Sequence, residues 1–257
     1  MILARDAGLS ESAVLPFAGV DGCAAGWLCV ELGQTGNWRV TLMAQAQQLG
    51  QLALYKRLVL VDMPIGLPGS SVPGPRQCDT EARRLLGVPR SSSVFPVPCR
   101  AALSATSYPD ALGINRQQVG RGISKQAWNI VPKIAQLDGL LRRQPGLKSR
   151  LRECHPEVCF WALNGQRAMG FNKKRPQGRD ERVRVLQRFL PQTQEILEYA
   201  AIEYRRRDVA NDDVIDALVV ALTARLGYGR LQTLPAEPPC DEAGLAMEIV
   251  YADANPV

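Results

Sequence analysis

One run of the chain is built for burial but carries acids at its start. From Asn211 to Ala224 the sequence reads NDDVIDALVVALTA, in which three aspartates stand among Ile, Leu, Val and Ala. Apolar residues at helical spacing predict a helix packed against a core, capped by Asn211 and ending near Gly227. Asp213 and Asp216 are three residues apart, so both project from one face of that helix. Any fold of this chain must place an acidic helix face beside buried structure.

The segments that precede this helix predict an α/β fold. Three short stretches rich in β-forming residues are separated by glycine-bearing turns, and a helix and a continuously apolar fourth strand follow. Their order is β-β-β-α-β, and an apolar strand of this length is typical of one that is buried on both faces. The strands are predicted at Phe17–Asp21, Gly26–Leu32, Trp38–Ala44 and Arg57–Pro64, and the helix at Gln45–Tyr55.

A helical insertion is predicted after the fourth strand. Glycine- and proline-rich stretches exclude regular structure on both sides of the helical TEARRLLG. From Ser124 to Arg143 apolar residues recur at helical spacing, although Pro132 should kink this helix or mark its first turn. The insertion extends over about residues 76–145.

The remainder of the chain is expected to return to the sheet. RLRECHPE predicts a short strand and a turn, and VCFWALNG a short helix that ends at Gly165. NKKRPQGRDERVRVLQRFL predicts a basic loop that runs into an amphipathic helix, and AMEIVYA a last strand. Because the sequence has no internal repeat, and one α/β unit can exceed about 200 residues, we expect residues 1–257 to form a single domain.

Two more aspartates stand at the ends of predicted strands. Asp21 ends the first strand and Asp62 ends the fourth. A carboxylate at the end of a buried apolar strand is costly unless it is paired or bound to metal. If these strands are neighbours, both acids emerge at one carboxyl edge, where α/β proteins bind ligands. The alternatives are turn or capping roles for these two, and complementarity to the helix dipole for Asp212, Asp213 and Asp216.

Composition narrows the chemistry open to such acids. The single histidine, His155, supplies neither a histidine-rich metal site nor a Ser-His-Asp arrangement with a spare base, so carboxylates must carry any metal. The seven cysteines form no C-x-x-C pair, which favours reduced thiols in a cytoplasm. No run is apolar enough to span a membrane, and the N-terminus is not of the signal-peptide type. A net charge of +6 weakly favours partners that carry phosphate.

Several motifs together resemble a known family. The blocks are GVDGCAAGW, VDMPIGLP, RQCDTEAR, ECHPEVCF, KKRPQGRDER and DDVIDAL. From about Phe17 to Arg225 they resemble the family catalogued as domain of unknown function 429, which is predicted to be RNase H-like. The order of elements resembles the RNase H-like nuclease superfamily, and DVIDALVVA is similar to the closing helix of RuvC-type resolvases. The resemblance implies a mixed five-stranded sheet, with three antiparallel strands and then parallel ones, flanked by helices.

The resemblance also implies a metal-dependent nuclease acting on DNA or RNA. Hard Mg²⁺ or Mn²⁺ ions take oxygen ligands, and two of them about 3.5–4 Å apart can activate water and stabilise the leaving oxygen of a phosphodiester. The implied catalytic ligands are four aspartates and one glutamate of ECHPE: Asp21, Asp62, Asp213 and Asp216, with Glu157 favoured over Glu153.

Other residues near the predicted edge could assist this chemistry. His155 could help proton transfer or orient the attacking water, but a lone histidine in a Cys/Pro turn is more often structural. Basic residues on loops and helix starts, with a glutamine beside them, could hold substrate phosphates; for each of them a solvated surface position is the alternative. These residues are Arg76, Arg83, Lys125, Gln126, Lys173, Lys174 and Arg182.

Two other functions fit parts of the sequence. A noncatalytic RNase H-like module could bind nucleic acid or protein, although acids at every expected position argue against a decayed site. An actin-like phosphotransferase-type enzyme also opens with a strand and a Gly/Asp turn. That fold needs two lobes and a late glycine cluster, whereas TARLGYGRLQ contains two glycines. The turn GCAAGW does not match G-x-x-x-x-G-K-[ST] and is interpreted as a hairpin.

Overall fold

The computed structural model describes residues 14–254, which fold around a mixed five-stranded sheet. Its strands are β1 (Phe17–Cys23), β2 (Gly26–Leu32), β3 (Trp38–Met43), β4 (Leu58–Asp62) and β5 (Leu151–Glu153). They lie in the order β3-β2-β1-β4-β5. The first three are antiparallel in succession, whereas β4 is parallel to both β1 and β5. The predicted mixed α/β sheet is therefore confirmed.

Helices cover both faces of this sheet. They are α1 (Ala46–Tyr55), α2 (Gln77–Arg90), α3 (Tyr108–Val119), α4 (Lys125–Arg143), α5 (Pro156–Leu163), α6 (Pro176–Gln187), α7 (Thr193–Glu203) and α8 (Asn211–Gly227). The backbone leaves helical geometry inside α2 at Gly87 and Val88. The sequence patterns did not predict α3 or α7. Within residues 14–254 no helix is long and apolar enough to cross a membrane.

The helix α8 packs directly on the central strand β1. A Cβ atom added to Gly19 would lie 2.0 Å from the backbone nitrogen of Ala221 and 2.3 Å from the carbonyl oxygen of Ala217. Glycine on the strand and alanines on the helix therefore permit a close approach that larger residues would prevent. Because Asp216 precedes Ala217 and Asp21 lies two residues after Gly19, this packing brings the two aspartates together.

The opposite face of the sheet packs against α1 and α4. Alternate strand residues such as Val20, Trp27 and Val61 share one core cluster with Leu49 of α1 and Ile134 of α4. The helix α4 is thus a layer of the domain core, although it lies within the predicted insertion. Ser124 caps it, accepting from the Ala127 N–H. Pro132 lies well inside the helix, so the prediction that it could mark the first turn is wrong.

Three further boundaries differ from the sequence predictions. The N-cap of α8 is Ala210, and Asn211 is already helical. The helix α5 starts at Pro156, before the predicted VCFWALNG, because His155 serves as its N-cap. The predicted last strand is β7 (Ile249–Tyr251), which pairs with β6 (Gln232–Leu234) in a separate two-stranded sheet. Caps and tertiary pairing, which leave weak sequence signals, account for these shifts.

Candidate metal centre

Three aspartates from three elements meet at the carboxyl edge of the sheet. Asp21 of β1 and Asp62 of β4 are direct register partners in a parallel strand pair. Asp216 reaches them from the second turn of α8, and each of the three offers a carboxylate oxygen within 4.8 Å of the other two. We call Asp21, Asp62 and Asp216 the open cluster. Carboxylate oxygens at this spacing can share one divalent cation.

Asp213, the fourth predicted aspartate ligand, has a partner of its own. Its Oδ2 accepts a 2.8 Å hydrogen bond from the backbone N–H of Ala210, as in one half of a capping box. Burial raises the pKa of Asp213 to about 6, while that hydrogen bond opposes the shift. Asp213 lies outside the group of three oxygens within 4.8 Å. It is a neighbour of the open cluster that also stabilises the start of α8.

The open cluster is electrostatically costly without a cation. Burial raises the pKa of Asp21 well above its ordinary value, and the charge of Asp62 raises it further. Burial likewise raises the pKa of Asp62 to about 7, with a further contribution from Asp216. The pKa of Asp216 is also raised by burial, but the ammonium of Lys173 opposes the shift. Three ionised carboxylates in this position need positive charge beside them.

Hydrogen-bond donors in the open cluster are few. Lys173 donates a 2.5 Å hydrogen bond to Oδ2 of Asp216. The buried Oδ1 of the same aspartate has no hydrogen-bond partner. Among the residues that the structure describes, none donates to the side chains of Asp21 or Asp62. Buried carboxylate oxygens are normally satisfied, so this arrangement leaves acceptor positions open.

Beside the open cluster lies a second group of acids, whose carboxylate oxygens all accept hydrogen bonds. Arg76 donates to both carboxylate oxygens of Glu153, at 2.7 Å each, and to both of Asp79, at 3.1 and 2.6 Å. The same guanidinium donates to the carbonyl oxygens of Ile65 and Gly66. We call Arg76, Asp79 and Glu153 the closed cluster. Because every oxygen of Glu153 is engaged there, this glutamate is poorly placed to act as a metal ligand.

Glu157 is intermediate between these two situations. One of its oxygens, Oε1, accepts a short hydrogen bond from the buried guanidinium of Arg182. The other, Oε2, is buried and has no partner. The charge of Glu157 raises the pKa of both Asp62 and Asp216, so it faces the open cluster. The geometry therefore favours Glu157 over Glu153 as a further carboxylate.

The open cluster lies in a cleft of about 460 Å³. Among the predicted phosphate-binding residues, Arg76, Gln126, Lys173 and Lys174 line it. A neighbouring cleft of about 700 Å³ shares Lys173 and Lys174 and adds Arg175, Arg179 and Arg206. Sequence reasoning missed these three arginines and Arg90, which lines the first cleft. The run of three arginines at 205–207, just upstream of α8, was an available signal for Arg206. The sequence carried no comparable signal for Arg90, which only the tertiary structure brings to the cleft.

Several predicted phosphate-binding residues have other partners or positions. Arg76 and Arg182 are buried in ion pairs with carboxylates, so their guanidinium groups are committed to the protein itself. Arg83 donates to the carbonyl oxygen of Val94 and does not line the cleft. Lys125, at the start of α4, is exposed and outside the lining. The assignment of these four to substrate phosphates is therefore corrected.

His155 has a structural role in this arrangement. Its Nδ1 accepts from the backbone N–H of Glu157 at 3.2 Å, which caps α5, and its Nε2 lies 3.4 Å from the carbonyl oxygen of Ser93. Burial lowers the pKa of His155. A neutral ring with Nε2 protonated satisfies both contacts. The histidine lines the cleft, but its two nitrogens already hold backbone groups.

Comparison with known families identifies the chain's relatives. A family model described as "Protein of unknown function (DUF429)" matches residues 19–240. The chain belongs to the DUF429 family. The match covers β1 through α8, and with them the open cluster, the closed cluster and Glu157. No curated protein and no solved structure matches the chain. Membership in DUF429 confirms the resemblance of the sequence motifs to that family. Because the family is described as one of unknown function, any function must be argued from the geometry of the site.

Proposed function

We propose that this DUF429 chain is a divalent-metal-dependent nuclease that hydrolyses phosphodiester bonds in DNA or RNA. The observation that carries the proposal is the open cluster. Three carboxylates from three elements, those of Asp21 and Asp216 buried and that of Asp62 half-buried, converge in a cleft where Lys173 is their one side-chain donor among the described residues. The order of the strands and the closing helix resembles that of the RNase H-like superfamily. Asp21, Asp62 and Asp216 would hold Mg²⁺ or Mn²⁺.

The donor set fits such an ion. Mg²⁺ and Mn²⁺ prefer oxygen ligands, and carboxylates are their usual protein partners. The unpartnered Oδ1 of Asp216 is the kind of buried acceptor that a cation would satisfy. The unpartnered Oε2 of Glu157 offers a further oxygen, and Asp213 stands beside the group. A bound divalent ion would lower the pKa of water and stabilise the leaving oxygen of a phosphodiester.

Basic residues favour a polyanionic substrate. Lys174, Arg175, Arg179 and Arg206 line the second cleft, and among residues 14–254 none of their side chains has an ion-pair partner. Lys174 belongs to both clefts, and Arg90 lies in the first. Cations arranged along two adjoining clefts can contact successive phosphates of one strand, whereas a small substrate would use one of the clefts.

Other side chains of the cleft would bind phosphate, position Glu157 or hold a proton. Lys174 and Arg90 form no ion pair in the described part of the chain, and although Arg90 donates one 3.4 Å hydrogen bond to the carbonyl oxygen of Phe171, both can bind and orient phosphate oxygens. The Arg182–Glu157 pair fixes the position of the glutamate, and His155 fixes the start of α5 that carries it. Asp62, with its pKa raised to about 7, can hold a proton near neutral pH in the metal-free protein.

A cleavage panel tests the proposal. Labelled single-stranded, duplex, hybrid and branched nucleic acids are incubated with Mn²⁺, Mg²⁺ or a chelator. Wild type and Asp21→Asn are compared with Asp110→Asn, which removes the same charge from an exposed position outside both clefts. We expect metal-dependent cleavage by the wild type and by Asp110→Asn, and none by Asp21→Asn. Binding of nucleic acid without metal-dependent cleavage of any substrate would contradict the nuclease and favour the noncatalytic module.

A further inference from the structure

One cation reaches the open cluster from outside the sheet. Lys173 lies on the loop between α5 and α6, and its Nζ is 2.5 Å from Oδ2 of Asp216 and 3.9 Å from Oδ2 of Asp212. In the described part of the chain no other lysine or arginine forms an ion pair with a member of the open cluster. Its charge also lowers the pKa values of Asp21 and Asp62, so the ammonium faces all three carboxylates.

Lys173 is more exposed than Arg76 of the closed cluster and makes fewer hydrogen bonds. The side chain of Lys173 is 38% exposed, whereas that of Arg76 is 1% exposed. Lys173 makes one hydrogen bond to the cluster, whereas Arg76 is held by four carboxylate oxygens and two carbonyl groups. A lysine on a flexible, partly solvated stem can leave its partner at a modest cost, and a buried, fully bonded arginine cannot.

We propose that Lys173 is a built-in counter-cation of the open cluster, which stabilises it without metal and is displaced when a divalent ion binds. The inference rests on the metal site of the proposed function and does not require nuclease activity. An ammonium and a divalent ion repel each other, and both seek the oxygens of Asp216. Each therefore weakens the binding of the other, and the coupling must be reciprocal. Metal binding then releases a cation that lines both clefts.

Titration of the purified full-length protein with Mn²⁺, followed by calorimetry and by electron paramagnetic resonance, tests this antagonism. Lys173→Met removes the charge and keeps a similar length, whereas Lys173→Arg keeps the charge. Lys174→Met is the matched control, because it removes one charge from the same loop at a residue that has no ion pair with the cluster. We expect Lys173→Met to bind Mn²⁺ about tenfold more tightly than Lys174→Met, and Lys173→Arg to stay near wild type.

Thermal melting supplies a readout that is independent of the binding isotherm. In chelator, Lys173→Met should melt below Lys174→Met, because the three carboxylates lose their counter-cation. Mn²⁺ should raise the melting temperature of Lys173→Met more than that of Lys174→Met. If Lys173→Met does not fold in chelator, Lys173→Gln, which retains a donor for Asp216, takes its place in both measurements.

The outcomes separate this inference from the proposed function. Equal or weaker Mn²⁺ binding by Lys173→Met relative to Lys174→Met would overturn the role of Lys173 and leave the metal site standing. Failure of every variant to bind Mn²⁺ would overturn the metal site and the inference with it. Tighter binding by Lys173→Met, together with no cleavage of any nucleic acid by the wild type, would support the inference and count against the nuclease.

Discussion

The open and closed clusters are neighbours on one sheet edge, but they treat their carboxylates in opposite ways. In the closed cluster a single arginine satisfies all four oxygens of Asp79 and Glu153. In the open cluster three aspartates face one lysine, and a buried oxygen of Asp216 has no partner. Both clusters contain buried acids, and both lie within the residues that the DUF429 family model matches. The number of acids therefore does not distinguish the two clusters; the number of unmet hydrogen-bond acceptors does.

The largest difference should appear in stability when each cluster is disrupted. Arg76→Met leaves two buried carboxylates without their cation, and we expect the free energy of unfolding to fall by about 3–5 kcal/mol. Urea denaturation measures this, with Arg179→Met as a control that removes an exposed, unpaired arginine. A loss below about 1 kcal/mol, the size of an ordinary surface effect, would remove the structural role of the closed cluster.

The opposite behaviour is expected of Asp216→Asn in the open cluster. Cleavage should fall roughly thousandfold, since a metal ion contributes several kcal/mol of transition-state stabilisation. In chelator the variant should be as stable as the wild type or more stable, because one of three mutually repelling charges is gone. Single-turnover cleavage and melting in chelator measure the two effects. If Asp216→Asn is destabilised as strongly as Arg76→Met, the two clusters do not differ in kind.

A comparison of Glu157 with Glu153 tests which glutamate belongs to the metal site. We expect Glu157→Gln to weaken Mn²⁺ affinity by about 10–100-fold, as supporting groups at metal sites do. The amide oxygen can still accept from Arg182, so the helix should remain in place. Glu153→Gln is the paired comparison, because Glu153 is engaged by Arg76, and its Mn²⁺ affinity should match wild type. Isothermal titration of both variants ranks them; equal losses would assign Glu153 to the metal site as well.

The pH dependence of stability should reflect the open cluster. Burial raises the pKa of Asp62 from an ordinary 3.8 to about 7. Between those values the folded protein binds more protons than the unfolded chain, so its stability falls as the pH rises through that window. In chelator we expect the melting temperature to drop by about 2–4 °C for each kcal/mol lost. Asp62→Asn should flatten this part of the profile only in part, because burial also raises the pKa of Glu153 to about 7 and that of Asp213 to about 6, and saturating Mn²⁺ should offset the contribution of Asp62 in wild type.

The smallest effect concerns His155, which caps α5 and lines the cleft. His155→Ala should cost about 1 kcal/mol of stability, because α5 loses its N-cap. His155→Asn, which supplies another capping side chain, should restore most of that stability and keep cleavage within a few-fold of wild type. Chemical denaturation and cleavage rates measure these effects. A loss of cleavage by His155→Asn as large as that of Asp216→Asn would return the histidine to the catalytic group.

Much of the fold was predictable because its signals are local. Segments rich in β-forming residues identified β1, a continuous apolar run identified β4, and helical spacing identified α4 and α8. The helix α3 contains a proline and two glycines lie beside or within it, which weakens a helical signal, and neither it nor α7 was predicted. The N-cap of α5 is a histidine, which is outside the usual capping set, so the sequence placed that helix too late.

The sequence by itself determined where the carboxylates of the open cluster would converge. Asp62 ends β4, and Asp21 lies two residues before the end of β1, which extends to Cys23 and so beyond the predicted end at Asp21. The parallel β1–β4 pair and the packing of the buried helix α8 bring Asp21, Asp62 and Asp216 together. The tertiary structure decided which acid faces which cation. Arg76, Arg182 and Lys173 looked alike as basic residues near the site, yet two are buried counter-ions of glutamates and the third meets the open cluster. The loops that carry Arg76 and Lys173, and the packing that buries Arg182, fix those pairings, and charge–charge interactions depend on distance and burial rather than on sequence spacing.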